Sequence, residues 1–190
     1  MFKLITTQLS RSARRVLAAR AVRRLVRQQD GSAAVEFALV AAPFLALTFA
    51  IMETAVVFFS GQALETAVAD SSRLIMTGQA QTQGFSQSTF KDAVCAKIFG
   101  LFDCQNGVYV DVKTYTSFSS VNMTNPVDAN GNFVNDFTYQ AGGPGDIVVV
   151  RLFYQWPVYV ALLGFDLHNM TGGKRLLVAT SAFRNEPYSN

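Results

Sequence analysis

The chain has 190 residues, of which half are hydrophobic and 15% are charged, a composition rich in apolar residues for a soluble domain. The net charge of +3 is unevenly distributed, because residues 1–31 carry eight basic side chains and one acid, whereas the rest of the chain carries eight basic and twelve acidic side chains. The basic character therefore belongs to the N-terminal segment, and it is poor evidence that the rest of the chain binds nucleic acid.

The basic segment 1–31 is typical of three kinds of N-terminus: a nucleic-acid-binding arm, a mitochondrial transit peptide or the cytoplasmic flank of a membrane helix. The apolar run that follows it favours the third, because basic residues close to a span hold that end in the cytoplasm. Within the segment, Leu17–Val26 places apolar residues at helical spacing among arginines. This pattern predicts a short helix on the inner leaflet.

An apolar stretch follows directly. Phe37–Met52 contains no charged residue and would span about 24 Å as a helix, less than the ~30 Å of a bilayer core. Extension to about Val35–Phe59 covers the distance if Glu36 and Glu53 lie toward opposite faces or toward a partner. A secretory signal peptide is the alternative, but its apolar region is shorter and ends at an A-x-A-like site. Pro43 indicates a bend, which a membrane helix tolerates.

Beyond Gly61 the pattern becomes amphipathic. Leu64, Val68 and Ile75 recur at helical spacing among charged residues, and nothing interrupts the pattern before Gly78. The sequence thus predicts one long helix over about Ala33–Thr77. Its first half would lie in lipid, and its second half would pack on a domain outside the membrane.

Glu36 lies at the start of the apolar run, where an ionisable group costs about 2.5–3.5 kcal/mol on insertion scales. One interpretation places it at the cytoplasmic interface, where its charge favours the positive end of the helix. The other takes the order of features together: a basic leader, Gly31, the segment Ser32–Val35, the pair Glu36 and Phe37, and then an apolar helix. This order resembles the processing site of type IV pilin-like proteins.

The resemblance to pilin-like proteins implies that a membrane peptidase cuts between Gly31 and Ser32, which leaves Glu36 as the fifth residue of the mature chain. The carboxylate of one subunit would then pair with the new amine of its neighbour when the helices pack side by side. Gly31 and Ser32 are therefore the expected processing site, and Glu36 and Phe37 are the expected assembly residues.

The pair Glu36–Phe37 and the block GSAAVEFALVAAPFLALTFAIMETAVVF are similar to TadE-like pseudopilins of tight-adherence (Tad/Flp) pilus systems. Two later stretches also look like segments of this family: residues 143–151, which lead into Tyr154–Pro157, and residues 182–188. The polar region Ser117–Tyr139 has no such resemblance, and its role is left open.

The outer part of the chain contains two cysteines, Cys95 and Cys104. If the N-terminus is cytoplasmic, these residues lie in the periplasm, which is oxidising. A disulfide between them would stabilise the fold by about 2.7 kcal/mol in the loop-entropy model. A metal site is the alternative, but it needs more ligands, and His168 lies far away without companions in the sequence.

Strands are expected after the cysteines. The alternating stretch Gly107–Phe118, the continuous apolar run Asp146–Trp156 and the stretch Arg175–Phe183 are predicted strands, and Val158–Leu163 is a candidate fourth. The apolar run suits a central strand. The predicted fold class is α+β: a long N-terminal transmembrane-plus-amphipathic helix packed on a small antiparallel sheet, as in pilins.

Signals for catalysis or cofactor binding are weak. The glycine-rich stretches Gly142–Gly145 and Thr171–Lys174 precede predicted strands and not helices, so neither has the context of a phosphate-binding loop. The sequence has no Ser-His pair, metal-ligand cluster or carboxylate pair in a recognisable motif. We therefore expect no enzyme, no cofactor and no nucleic-acid partner.

The chain is expected to divide into a basic cytoplasmic leader at 1–31, a transmembrane half-helix at 32–60, a periplasmic half-helix at 61–79 and a periplasmic α+β domain at 80–190. The resemblance implies a minor pseudopilin of the bacterial inner membrane, processed by a prepilin peptidase, that assembles or initiates a pilus with other pseudopilins and pilus assembly proteins. One alternative is an unprocessed single-span envelope protein whose outer domain binds a ligand or partner. A membrane-tethered enzyme is the last alternative, and no residue set supports it.

Overall fold

The computed structural model describes residues 31–98, 100, 102–159 and 167–188. The predicted leader, apart from Gly31, and most of the candidate strand Val158–Leu163 lie outside the described residues. The chain divides into two compact units, Met1–Thr48 and Phe49–Asn190. The first unit is helical from Ser32 onward, and the second contains the rest of that helix together with the sheet.

The long helix α1 extends from Ser32 to Met76 and has 45 residues, which confirms the predicted helix to within one residue at each end. It continues through Pro43. It ends because Gly78 adopts a left-handed conformation (φ 79°), which glycine reaches without steric cost. The Gly78 N–H donates to the Ile75 carbonyl (3.0 Å) and closes the last turn.

Three short helices follow: α2 (Gln79–Thr82), α3 (Gln87–Cys95) and α4 (Cys104–Gly107). The Ser86 hydroxyl caps α3 by accepting a hydrogen bond from the Thr89 N–H. The Asp103 carboxylate caps α4 in the same way, by accepting from the Asn106 N–H. A disulfide joins the end of α3 to the start of α4, with a distance of 5.6 Å between the two Cα atoms. The predicted disulfide between Cys95 and Cys104 is confirmed.

The sheet has three antiparallel strands in the order β1-β2-β3: β1 is Val108–Tyr115, β2 is Ile147–Pro157 and β3 is Lys174–Arg184. The apolar run is the central strand, as predicted. The first predicted strand was three residues too long at its C-terminal end, because Ser117 caps a 3-10 turn at Phe118–Ser120 that turns the chain out of the sheet. The observed helix and antiparallel sheet confirm the α+β class.

One face of the sheet packs on α1. Leu64, Val68 and Ile75 project from the helix into a cluster with sheet residues such as Val150 and Leu152, and each of the five is at most 2% exposed. Burial of a side chain of this size contributes about 1.5–3 kcal/mol. The predicted packing of the sheet on the outer part of the helix is therefore confirmed.

The other face of the sheet is covered by the connector between β1 and β2, residues 116–146. Val127, Phe133 and Phe137 pack there against a second buried cluster that contains Phe153 of the central strand. The rings of Phe137 and Phe153 are stacked, with centroids 4.8 Å apart. The polar region whose role the sequence left open therefore closes the second face of the sheet.

Candidate membrane and assembly site

The predicted processing and assembly residues lie together at the start of α1. The Ser32 hydroxyl donates a hydrogen bond to Glu36 Oε1 at 2.7 Å, because residues four apart in a helix lie on the same face. A Cβ added to Gly31 would meet no atom within 4 Å. Phe37 is 74% exposed. The structure thus places an open backbone at Gly31 next to an exposed hydroxyl–carboxylate pair.

Residues 35–52 of α1, the apolar half, have no buried side chain. Its exposed apolar side chains point in every direction around the helix; among them are Val35, Phe37, Leu39, Val40, Phe44, Leu45, Leu47, Phe49, Ile51 and Met52. The most apolar 18-residue stretch of α1 has a mean hydropathy of 2.1, and none of this stretch is buried within the protein. A helix that is apolar on all sides needs lipid or other helices around it. By length and composition, α1 is a candidate membrane span.

Three hydroxyl side chains of α1 between Thr48 and Ser60 bond to the backbone of the helix itself. The hydroxyls of Thr48 and Thr54 each donate at 2.8 Å to the carbonyl four residues earlier, and Ser60 does the same. Such bonds keep hydroxyl groups from being left without a partner in hydrocarbon. These side chains are therefore compatible with a membrane environment.

The outer end of the apolar stretch meets the folded domain at Glu53. Its carboxylate accepts a hydrogen bond from the Tyr159 backbone N–H at 2.5 Å. Val57 is 4% exposed, whereas Phe58 and Phe59 are 70% and 63% exposed. The domain therefore covers one face of the helix from Glu53 onward, while the opposite face stays apolar and exposed through Phe59.

Residues 57–76 of α1, the packed half, differ between their two faces. Leu64, Val68 and Ile75 are buried against the sheet, whereas Glu65 and Asp70 lie exposed on the other side. This is the amphipathic pattern expected of a helix between a protein core and water. The packed half is thus suited to an aqueous compartment.

The C-terminal segment returns to the end of α1. The Glu186 N–H donates to the last carbonyl of α1 at 2.8 Å, and the Tyr188 ring lies so close to Gly78 that a Cβ there would overlap it. Asn185 Nδ2 donates to the Gly143 carbonyl at 3.0 Å. The two later stretches that look like TadE-like segments therefore meet at this helix end.

A buried ion pair fixes the connector to the sheet. Asp111 is 1% exposed and Arg151 is 6% exposed, and Arg151 Nη2 lies 2.6 Å from Asp111 Oδ2. Arg151 Nη1 also donates to the Thr124 carbonyl at 2.8 Å, and the other carboxylate oxygen of Asp111 accepts from the Thr138 N–H. The sequence analysis missed this pair; its one visible signal was an arginine inside the apolar run of β2.

Three ionisable side chains have pKa values that are shifted by hydrogen bonds within a turn or by burial. Hydrogen bonds from Asn106 hold the pKa of the Asp103 carboxyl below its usual value, and hydrogen bonds from Asn132 lower the pKa of Asp128. Burial raises the pKa of the Tyr139 hydroxyl to about 12. Each group caps a turn or lies in the core, so these shifts have structural causes.

The other sequence candidates were two glycine-rich stretches and one histidine. The stretches Gly142–Gly145 and Thr171–Lys174 both lead into strands, as predicted. His168 is exposed in an irregular part of the chain. Within the described ranges, no group of three or more His, Cys, Asp or Glu side chains is placed to hold a metal ion.

Comparison with known families adds one finding. The model of the TadE-like protein family matches residues 31–73. This segment is TadE-like. The match begins at Gly31, where the predicted cut lies, and covers α1 almost to its end; the stretches at 143–151 and 182–188 lie outside it. The search of curated proteins and the search of solved structures return no match to the chain.

Proposed function

We propose that the chain is a membrane-anchored minor pseudopilin, cut by a prepilin peptidase between Gly31 and Ser32, that takes part in the assembly or initiation of a tight-adherence (Flp) pilus. The observation that carries this proposal is the coincidence of three features at one place. The TadE-like match starts at Gly31, the Ser32–Glu36 pair follows it, and an unburied apolar helix comes next.

Accessibility of the backbone supports cleavage at this place. Gly31 has no side chain, the space that a Cβ would occupy there is open to 4 Å, and the residue on its C-terminal side is exposed. A peptidase can therefore reach the bond without first moving another part of the described chain. The cut creates an amine at Ser32, one helical turn from the Glu36 carboxylate.

The new amine gives Glu36 a role in assembly. Among the described residues, the Ser32 hydroxyl donates a hydrogen bond to the Glu36 carboxylate, and it bonds to one of the two carboxylate oxygens. A carboxylate has room for several more hydrogen bonds. The amine of an adjacent mature subunit is a charged donor that fits this site and offsets the cost of an acid in lipid.

Charge and the disulfide support the membrane orientation that we propose. The strongly basic segment before Gly31 favours a cytoplasmic N-terminus. The folded domain then lies in the periplasm of the bacterial inner membrane, where the disulfide between Cys95 and Cys104 is stable. In this arrangement the partners are the peptidase, other pseudopilins, pilus assembly proteins and the bilayer, and the chain has no catalytic role of its own.

A second candidate is an unprocessed single-span protein whose outer domain binds a partner. The Ser32–Glu36 hydrogen bond favours it, because this bond already satisfies part of the carboxylate within one chain. The two candidates differ in what they require of the charge on Glu36.

Replacement of one acid separates the two candidates. Glu36→Gln keeps the size of the side chain and one acceptor oxygen but removes the charge. The pseudopilin proposal therefore expects pilus yield to fall about tenfold or more, since a hydrogen bond to a charged group contributes about 1.5–3 kcal/mol. Glu65→Gln, at an exposed position of the packed half, is the matched control and should leave the yield unchanged. Normal pilus yield from Glu36→Gln, with the protein present in the membrane, would favour the unprocessed candidate.

A further inference from the structure

The two edges of the sheet differ. The edge of β1 is covered, because the Val112 N–H donates to the Thr138 carbonyl and the Gln140 N–H donates to the Val112 carbonyl, at 2.8 and 2.9 Å. Gln87 Nε2 also donates to the Val110 carbonyl at 2.7 Å. The connector and α3 therefore occupy the hydrogen-bonding groups of this edge.

The residues that form the opposite edge, on β3, are those whose backbone N–H and C=O groups point away from β2. The Leu176 N–H donates to Asn169 Oδ1, and the Lys174 carbonyl accepts from the Asn169 N–H. Since N–H and C=O groups alternate between the two sides of a strand, the even-numbered residues of β3 face away from β2. The next three are Val178, Thr180 and Ala182.

These three residues form an open edge. All three side chains are exposed, and within the described ranges no backbone hydrogen bond joins their outward N–H and C=O groups to another segment. The strand pairs with β2 in one continuous register over its whole length, without a bulge. Residues 176–183 contain no charge and no proline, so the usual features that protect an edge from a further strand are missing from its middle.

A groove lies beside the open edge on the face of the sheet away from α1. It has a volume of about 260 Å³, and its walls include Met123, Phe153, Val178 and Thr180. When a strand adds to a sheet edge, main-chain hydrogen bonds provide affinity and pockets for alternate side chains provide specificity. The open edge and the groove together have the form of such a site.

The charges at the ends of β3 indicate which kind of strand can pair with its open edge. Lys174 and Arg175 lie at one end of the strand and Arg184 at the other, and β3 contains no acid. In the antiparallel register that pairs the full length of two copies of β3, Lys174 of one copy would lie opposite Arg184 of the other. Like charges directly opposite each other are destabilising. A second copy of this strand is therefore disfavoured, and a strand with acidic ends is favoured.

We propose that the edge of β3 binds an extended segment of another protein, with an apolar or β-branched centre and acidic ends, as a fourth antiparallel strand. Its backbone pairs with Val178, Thr180 and Ala182, and alternate side chains enter the groove. The proposal goes beyond the pseudopilin function and does not depend on cleavage at Gly31.

Binding of defined peptides to the full chain in detergent tests this proposal. The probe is DEVTVTVTVED, and KKVTVTVTVKK is its counterpart with the same centre and opposite ends. We expect the acidic peptide to bind about tenfold or more tightly at low salt, since complementary charge guides such contacts. It should also slow hydrogen exchange of the Val178, Thr180 and Ala182 amides. Equal binding of the two peptides, or protection elsewhere in the chain, would overturn the proposal.

Two substitutions locate the binding at this edge. Thr180→Pro removes an outward N–H but no hydrogen bond to β2, so it should weaken binding of the acidic peptide about tenfold or more. Thr180→Val keeps this N–H and should leave the binding unchanged. Lys174→Glu leaves the backbone unchanged and should reduce the preference for the acidic peptide over the basic one. Unchanged binding by Thr180→Pro, or an unchanged preference in Lys174→Glu, contradicts the assignment.

Self-association is the remaining alternative for the edge. If two copies pair through β3, the Val178, Thr180 and Ala182 amides will already be protected without peptide, and their protection will rise with protein concentration. That result would overturn the proposal in favour of a homodimer. Protection that appears with the acidic peptide alone supports it.

Discussion

The two halves of α1 differ in where their apolar residues lie. The apolar half, residues 35–52, exposes large side chains such as Phe37, Phe44 and Leu47 on every face. The packed half, residues 57–76, buries Leu64 on one face and, beyond Phe59, exposes polar residues such as Glu65 on the other. One continuous helix therefore combines a stretch that is exposed on all sides with a stretch that is buried on one side. On our proposal, the change from uniform to amphipathic pattern, and not any break in the backbone, marks the boundary between lipid and water.

The same contrast applies to two carboxylates. Asp111 lies in the folded domain, where the described residues give it an arginine partner and a backbone donor. Glu36 lies at the start of the apolar half with a hydroxyl of its own chain. The first acid has its charged partner within the subunit, and on our proposal the second acquires one only from a neighbouring subunit.

Of the paired substitutions, those of the two carboxylates should differ most in their effect on the free energy of unfolding. Asp111→Ala leaves the buried Arg151 without its partner, so the free energy of unfolding of the domain should fall by about 3–5 kcal/mol. Glu36→Ala should leave it unchanged, since the hydrogen bond that the structure gives this residue is to Ser32 at the start of α1. Thermal unfolding in detergent, followed by circular dichroism of the sheet, measures both.

An equal loss of stability in the two variants would contradict the contrast between the carboxylates. The double replacement of Asp111 and Arg151 by apolar residues should recover part of the loss, because it removes the unpaired charge.

A matched pair of leucines tests the two halves of the helix directly. Leu64 is 0% exposed and Leu47 is 50% exposed. Leu64→Ala should lower the free energy of unfolding by about 2–5 kcal/mol, because it leaves a cavity in the core. Leu47→Ala should leave the unfolding of the domain nearly unchanged in detergent. A similar loss from both changes would show that residues near 47 also lie in a folded core, contrary to the membrane interpretation.

A pair of glycines gives the smallest expected effects, with opposite signs. Gly78→Ala should destabilise the domain by about 1–2 kcal/mol or more, because the left-handed conformation disfavours a side chain and the Tyr188 ring occupies the space of the Cβ. Gly61→Ala should stabilise it by up to about 1 kcal/mol, because this glycine is inside the helix and its Cβ would meet no atom within 4 Å. Chemical denaturation resolves both. Two changes of the same sign would contradict this account of how α1 continues and ends.

The features that the sequence predicted well depend on neighbours along the chain. The bounds of α1 follow from apolar periodicity and from Gly78, and the disulfide follows from two nearby cysteines. Local pattern is enough in each case, because the groups that interact are close in sequence.

The features that sequence reasoning missed depend on strand register and on long-range packing. Asp111 lies directly opposite Arg151 only because β1 and β2 pair in one particular register. Phe133 and Phe137 lie in a polar stretch without periodicity, so their burial against the sheet gives no local signal. The open edge of β3 depends on which segments cover each edge of the sheet, which the amino-acid pattern does not determine.

The mass of the mature protein tests the central claim most directly. The full chain, produced in cells with an active prepilin peptidase and purified from the membrane, should begin at Ser32 when its N-terminus is determined by mass spectrometry. A peptidase-deficient strain is the control and should yield protein that keeps residues before Ser32. If the protein from the active strain also retains Gly31 and the basic segment before it, the account of a processed pseudopilin is wrong.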